Sequence, residues 1–164
     1  MIAAVADTGP LLHLEEADAL QHLPRFAEVI IPSIVERELS RYPLFSKPTW
    51  LSTQPLSRSA RTKSVAWQEA GLVDEGEADA LALALESPCD WFLSDDAAAR
   101  LLGESLGLEV HGSLGIVIYA AARGLVTPDE ARQMLLGLKD SSLWLSSKVF
   151  RAAEQALDEI AGKA

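Results

Sequence analysis

The chain has 164 residues, a formal net charge of -10 and 49% hydrophobic residues, which is enough apolar material for a core without disulfide or metal staples. Cys89 is its one cysteine, so an intrachain disulfide is excluded and nothing requires an oxidising compartment. No stretch approaches the ~20 apolar residues of a membrane span, and the N-terminus lacks a basic region. We therefore expect a cytoplasmic protein with a single domain over residues 1–164 and no membrane contact.

The first half of the chain alternates between apolar runs and helices. Ile2–Ala6 predicts a strand buried on both faces, and a helix is expected to begin at Pro10. A second strand over Glu28–Ile31 and a short helix over Ser33–Ser40 follow. The proline-rich stretch over residues 42–57 predicts a loop with one short extended piece.

The second half continues the alternation. The sequence Asp-Glu-Gly-Glu from Asp74 has the pattern of a capping box and predicts a helix to Glu86. The remaining elements are a strand, a helix and a strand, then three helices, over residues 91–94, 96–106, 109–110, 113–123, 127–138 and 146–160. This order predicts an α/β domain with a mostly parallel sheet covered on both faces, and the helical segment 113–160 is expected to belong to the same domain.

Basic side chains are concentrated in one part of an otherwise acidic chain. The segment from Leu39 through Gln68 contains no Asp or Glu and carries five cations: Arg41, Lys47, Arg58, Arg61 and Lys63. Phosphate contacts come from Lys and Arg, whereas an acidic surface repels a polyanion. We therefore expect these five cations to bind the substrate backbone of a nucleic acid.

Carboxylates follow two of the predicted strands. Asp7 comes directly after the first strand, and Asp95 and Asp96 come after the strand over residues 91–94. In open α/β sheets the functional crevice lies beyond the carboxyl ends of the strands. Position alone fits a turn or cap role for Asp7 equally well, whereas an N-cap would need only one of the two later aspartates.

Two further acids lie on apolar helix faces. Glu38 is four residues after Ile34 and three after Val35, so its carboxylate stands inside an apolar stripe and needs a cation or several donors. Asp79 interrupts an almost wholly apolar helix, although a place near the positive end of the helix dipole is an alternative explanation. Glu77 is explained by closing the capping box, so we rank Asp79 above it.

The candidate site therefore contains Asp7, Glu38, Asp79 and one or both of Asp95 and Asp96. Carboxylates without histidine or cysteine companions suit Mg²⁺ or Mn²⁺ and do not suit structural zinc. Such ions activate water and stabilise the leaving oxygen in phosphodiester hydrolysis. The pattern favours a metal-dependent nuclease whose acids are both the metal ligands and the catalytic residues.

Four segments resemble, in this order, the successive motifs of PIN domains: Ala-Asp-Thr-Gly-Pro-Leu-Leu, Ile-Pro-Ser-Ile-Val-Glu-Arg-Glu-Leu, Gly-Glu-Ala-Asp-Ala-Leu-Ala-Leu-Ala and Phe-Leu-Ser-Asp-Asp-Ala-Ala-Ala-Arg. The closest resemblance is to the PIN-like branch described as DUF3368, because Gly112-Ser-Leu-Gly115, a helix and Gly124-Leu-Val are similar to its later segment. The resemblance implies a three-layer α/β/α fold and metal-dependent ribonuclease activity. It also implies a toxin role beside a small antitoxin, as in VapC-like proteins, with RNA ahead of single-stranded DNA as the substrate.

The resemblance assigns Asp7, Glu38 and Asp79 to the first three acids of the family. The fourth stays open: a Thr-x-Asp pattern puts Ser94 in the Thr place and makes Asp96 the acid, whereas the closer branch favours Asp95. Thr8 takes the small hydroxyl place beside the first acid. Ser94 is expected to help position a metal-bound water.

Aliphatic and aromatic residues cluster near the C-terminus: Leu143, Trp144, Leu145, Val149 and Phe150. They could complete the core of the monomer or form the centre of an interface. The resemblance to PIN domains, which commonly pair, favours a homodimer.

Two other classes of function compete. A phosphotransfer domain of the haloacid type would need an aspartate two residues after Asp7, where Gly9 stands. A noncatalytic partner-binding domain stays open, because an intact acid set can persist in a binding protein.

The three histidines, His13, His22 and His111, show no metal-ligand spacing and are assigned to packing or surface roles.

Overall fold

A computed structural model describes residues 1–163 and shows an α/β architecture. Five strands form one sheet in the order β3-β2-β1-β4-β5, with every neighbouring pair parallel. The strands are β1 (Ile2–Ala6), β2 (Ala27–Pro32), β3 (Ser52–Gln54), β4 (Trp91–Leu93) and β5 (Val110–His111). The predicted α/β class with a parallel sheet is confirmed.

Helices connect the strands and form the C-terminal part of the chain. They are α1 (Thr8–Glu16), a 3₁₀ helix (Leu20–Arg25), α2 (Ser33–Leu39), α3 (Arg58–Glu69), α4 (Glu75–Glu86), α5 (Ala97–Ser105), α6 (Ser113–Ala122), α7 (Pro128–Asp140) and α8 (Ser147–Lys163). Over residues 1–163, no helix has the length and apolar character needed to cross a membrane.

The two faces of the sheet bury different side chains, as the two-residue period of a strand requires. Val5 and Phe92 pack on one face with α4 and α5. Ala4, Ala6 and Leu93 pack on the other face, in a cluster that also holds apolar residues of α1, α6, α7 and α8. The sheet is therefore the middle of three layers, as expected for an α/β/α fold.

Helix α3 has no counterpart among the predicted elements. Its sequence is polar on most faces, and Ala60 and Ser64 are its buried residues, so no apolar stripe marks it as a helix. The hydroxyl of Ser57 caps its first turn by accepting from the Ala60 amide at 3.1 Å. Packing of α3 along α4 then holds the helix in place.

The topology leaves a crevice between β1 and β4. From β1 the chain extends the sheet first through β2 and β3 and later, on the other side, through β4 and β5. The two central strands pair in register, with Ala6 opposite Leu93, and the Asp7 amide donates to the Leu93 carbonyl at 3.0 Å. Residues just beyond these strand ends are therefore neighbours at the topological switch point, where α/β sheets bind ligands.

Candidate functional site

A cavity of about 260 Å³ opens at the carboxyl ends of β1 and β4. It is lined by Asp7, Thr8, Gly9, His13, Glu38, Asp74, Glu77, Asp95, Asp96, Ser142, Leu143 and Trp144. We call it the acidic cavity, because six carboxylates and no described Lys or Arg line it. Of the acids predicted for the site, the structure brings together Asp7, Glu38, Asp95 and Asp96.

Asp7 caps α1 from the floor of the cavity and is 4% exposed. One carboxylate oxygen accepts from the Gly9 amide at 3.2 Å, and the other accepts from the Ser94 hydroxyl at 2.5 Å. Burial raises the pKa of Asp7 well above its usual range, and the nearby charges of Asp95 and Glu77 raise it further, against the hydrogen bond from Ser94. The surroundings of Asp7 therefore disfavour its charged form, and a nearby cation would offset that effect.

Glu38 reaches the cavity from the end of α2. Its carboxylate accepts a hydrogen bond from the Thr8 hydroxyl, so the residue predicted to support the first acid contacts the second. The same carboxylate lies against Gly76 in the first turn of α4, where an added Cβ would be 2.5 Å from Oε1 and 2.6 Å from Oε2. A glycine at this position is what lets the α2 carboxylate approach α4.

Glu77 lies in the first turn of α4 and closes its capping box, accepting from the Asp74 amide at 3.0 Å. The same side chain lines the acidic cavity. Burial raises its pKa to about 7, and the charges of Asp74 and Asp96 add to the rise. The carboxylate that closes the capping box therefore also lines the acidic cavity. A role in the capping box does not exclude Glu77 from the candidate site.

Asp79, which is expected at the site from the sequence, lies outside the lining of the acidic cavity. It follows Glu77 by two residues, and two residues turn a helix by about 200°, so the side chains face opposite ways. Asp79 is 1% exposed. Its oxygens accept from Arg61 Nη1 at 2.8 and 2.7 Å and from the Ser64 hydroxyl at 2.5 Å, which joins α4 to α3.

Asp95 and Asp96 both line the cavity but have different partners. Asp95 accepts from the backbone and hydroxyl of Ser113, at 2.7 and 2.6 Å, and lies 2.7 Å from Nδ1 of His13. Burial opposes ionisation of Asp95, but these hydrogen bonds outweigh it and lower its pKa. Asp96 caps α5 through the Ala99 amide at 2.9 Å. The choice between the two aspartates therefore stays open.

The five cations predicted to bind substrate do not line the acidic cavity. Arg61 is bound to Asp79. Lys47 lies 2.5 Å from Glu36 and donates to Thr53 at 2.7 Å. Arg41 comes closest along the chain, with its amide donating to the Glu38 carbonyl at 3.1 Å.

The other two cations, Arg58 and Lys63, are exposed on α3. The Ser57 amide just before Arg58 donates to Glu86 at 3.1 Å. Glu86 ends α4, nine residues after Glu77, or ~14 Å along a helix axis. The start of α3 at Arg58 thus lies near the end of α4 that is remote from the acidic cavity, whereas Arg61 lies beside Asp79.

Several lining residues were outside the predicted site. His13 lies one helical turn after Gly9 on α1 and contacts Asp95, and this one-turn spacing was a usable signal. Trp144 enters the cavity wall from the loop between α7 and α8. No local pattern connects it with strand ends that lie far from it in the sequence.

The donor set suits a hard divalent cation in its chemistry, since carboxylates are the ligands that Mg²⁺ and Mn²⁺ prefer. The raised pKa values of Asp7 and Glu77 point the same way. In the present arrangement each carboxylate is turned toward an internal donor. Within residues 1–163, no three acidic, His or Cys side chains form a group that could hold a metal ion.

A family model, DUF3368, described as a PIN domain, matches residues 3–159 and so covers nearly the whole chain. No match was found among curated proteins or solved structures.

Proposed function

This chain belongs to the PIN-domain family, and we propose that it is a metal-dependent nuclease that hydrolyses phosphodiester bonds, with RNA ahead of single-stranded DNA as its substrate. The observation that carries the proposal is the convergence of Asp7, Glu38, Glu77, Asp95 and Asp96 on one cavity. Their position beyond the carboxyl ends of β1 and β4 is where α/β folds hold their ligands.

The electrostatics of the cavity support a cation. Asp7 and Glu77 both have raised pKa values, because burial and neighbouring carboxylates disfavour their charged forms. A divalent ion would stabilise those charged forms. We propose that Asp7, Glu38 and Glu77 hold it together with Asp95 or Asp96, and that Asp79 supports the site by fixing α4 on α3.

The chemistry that Mg²⁺ or Mn²⁺ supplies when bound is activation of water and stabilisation of the leaving oxygen. The chain itself contributes positioning. Ser94 and the Gly9 amide orient Asp7, Thr8 orients Glu38, and the α6 N-terminus with His13 orients Asp95.

Cleavage of a mixed panel of RNAs in Mg²⁺, Mn²⁺ or chelator tests the proposal. Asp7→Asn keeps the cap on α1 but removes a charge from the cavity, so we expect loss of cleavage with the fold retained. Glu75→Gln is the matched control, because Glu75 is exposed in the first turn of α4 and does not line the cavity. Cleavage that survives chelator, or that Asp7→Asn leaves unchanged, would reject the nuclease.

A noncatalytic PIN-like binding domain is the second candidate. It is favoured by the internal partners of the carboxylates and by the lack of an assembled metal group within residues 1–163. Calorimetric titration separates the two candidates. Binding of Mn²⁺ that Asp7→Asn weakens supports the nuclease, whereas no metal binding by the wild type supports the binding domain.

We further infer the biological setting from the family. A toxin role beside an inhibitory antitoxin and a homodimer are proposals that rest on the resemblance to VapC-like proteins, and action in the cytoplasm is a proposal that rests on the sequence. Of the apolar residues expected at a dimer interface, Phe150 is buried, while Leu143 and Leu145 pack against the core of the same chain. Trp144 and Val149 alone are too small for ~800 Å² per partner, so a dimer needs further surface.

A further inference from the structure

We propose that a groove beside the acidic cavity is a nucleotide subsite, in which Trp144 stacks an unpaired base of a single-stranded nucleic acid and Arg100 holds an adjoining phosphate. The groove encloses about 580 Å³, within the range of small-molecule sites. Asp95, Leu143 and Trp144 line both spaces. A nucleic-acid strand bound at the carboxylates of the acidic cavity can therefore continue directly into the groove.

Trp144 is held outward by its neighbours. It is 82% exposed, an unusual state for so large an apolar side chain. Ser142 donates to Glu16 through its amide at 2.6 Å and its hydroxyl at 2.7 Å, and Leu143 and Leu145 pack into the core. The indole is thus presented from an anchored loop as a ready stacking surface.

Arg100 supplies the positive charge that the acidic cavity lacks. Among the described residues it is the one Lys or Arg that lines the groove, and none of the salt bridges in residues 1–163 involves it. An added Cβ on Gly112 would clash with Arg100 Nη1 and lie 2.7 Å from Asp95 Oδ1. Gly112 therefore makes room for a guanidinium beside the catalytic acids, where a phosphate next to the scissile one would lie.

The occupant must be single-stranded, because a base inside a duplex has both faces covered and cannot stack on a protein side chain. The apolar lining of the groove, with Leu114, Ile118 and Val149 around Trp144, suits the face of a base. The inference rests on the proposed function, since it assumes that the acidic cavity receives a phosphodiester.

The test for Trp144 is fluorescence anisotropy with a labelled six-nucleotide single-stranded RNA, in chelator and at low salt. We expect Trp144→Ala to weaken binding by about fivefold or more, as loss of stacking on one base predicts, and Trp144→Phe to stay within about twofold of wild type. Leu136→Ala is the control, because Leu136 is 45% exposed on α7 and lines neither space. The affinity for the duplex form of the same RNA should be unchanged in Trp144→Ala.

The test for Arg100 is the salt dependence of the same binding. The slope of log K against log salt is negative for binding of a nucleic acid. Arg100→Gln should reduce its magnitude by about 0.7, the value for one phosphate of a single strand. Lys163→Gln, which removes a charge from the exposed end of α8 and lines neither space, should leave the slope unchanged.

Unchanged single-strand affinity in Trp144→Ala overturns the subsite, even if wild-type protein cleaves RNA. Stacking-dependent binding by a wild type that cleaves nothing keeps the subsite and rejects the nuclease. Light scattering tests whether a second copy of the protein, and not a nucleic acid, occupies the groove. A dimer that becomes a monomer in Trp144→Ala, with RNA affinity unchanged, assigns the face to self-association and overturns the proposal.

Discussion

Arg61 Nη1 lies 2.7 Å from Asp79 Oδ2 across the contact between α3 and α4. The carboxylate is 1% exposed, whereas the arginine side chain is 49% exposed. Removing the arginine leaves a buried charge without its cation. We expect Arg61→Ala to lower the free energy of unfolding by about 2–3 kcal/mol, somewhat less than for a fully buried pair. Urea titration measures the loss.

Arg58→Ala is the control, since Arg58 is exposed on the same helix and should change stability by no more than about 0.5 kcal/mol. The two variants also separate the structural role of Arg61 from substrate binding. If Arg61 also contacts the substrate backbone, Arg61→Ala will raise KM in addition to lowering the free energy of unfolding, whereas a purely structural role will leave KM near that of the wild type.

Glu77 makes stability depend on pH in the absence of metal. Its pKa is about 7 in the folded chain and near the ordinary 4.5 after unfolding, so the folded state binds the extra proton between these values. Stability should therefore fall as pH rises from about 4.5 to about 7. Asp7, whose pKa is also raised, acts in the same direction.

Glu77→Gln keeps a side chain that can close the capping box but does not titrate. Above pH 7 we expect the variant to exceed wild type by on the order of 1 kcal/mol, after allowance for solvent screening of a half-buried group. Near pH 4.5 the two should coincide. Thermal melts in chelator across this pH range give the comparison. If the stability of the two proteins depends on pH in the same way, Glu77 is not the source of the pH dependence.

The α/β fold class and four of the six carboxylates of the acidic cavity follow from short-range patterns. Asp7, Asp95 and Asp96 come directly after apolar runs, so the edge of a parallel sheet brings them together once the strands are recognised. Glu38 is identified by the apolar stripe around it. These residues need no knowledge of which helix packs on which.

The remaining features depend on packing between distant segments. Choosing between Glu77 and Asp79 requires knowing that α3 covers one side of α4, and α3 itself lacks an apolar stripe. Trp144 reaches the cavity because Ser142 is tied to Glu16. Such contacts join residues with no common local pattern, so the sequence alone does not reveal them.

A substitution at Gly76 tests the geometry of the candidate site separately from the stability of helix α4. Alanine favours a helix by about 1 kcal/mol over glycine, but a Cβ here would lie 2.5 Å from Glu38 Oε1. We expect Gly76→Ala to keep the fold and to lose most metal-dependent cleavage, because the Glu38 carboxylate must move.

Gly162→Ala is the matched control for Gly76→Ala. Gly162 lies in α8, and an added Cβ meets nothing within 4 Å. This variant should cleave like wild type. Circular dichroism beside the cleavage assay separates the outcomes, and full activity in Gly76→Ala would remove Glu38 from the proposed ligand set.

The predicted homodimer requires an apolar surface other than the Trp144 face. Leu101 on α5 is 69% exposed and belongs to neither the acidic cavity nor the groove. We expect light scattering at micromolar concentration to give about twice the 17.7 kDa of one chain. If the exposed Leu101 side chain lies in the contact, Leu101→Asp will lower the mass toward one chain, because burying a charge in an apolar contact is costly, while Trp144→Ala should leave the mass unchanged. A concentration-independent mass of one chain for the wild type would reject the dimer.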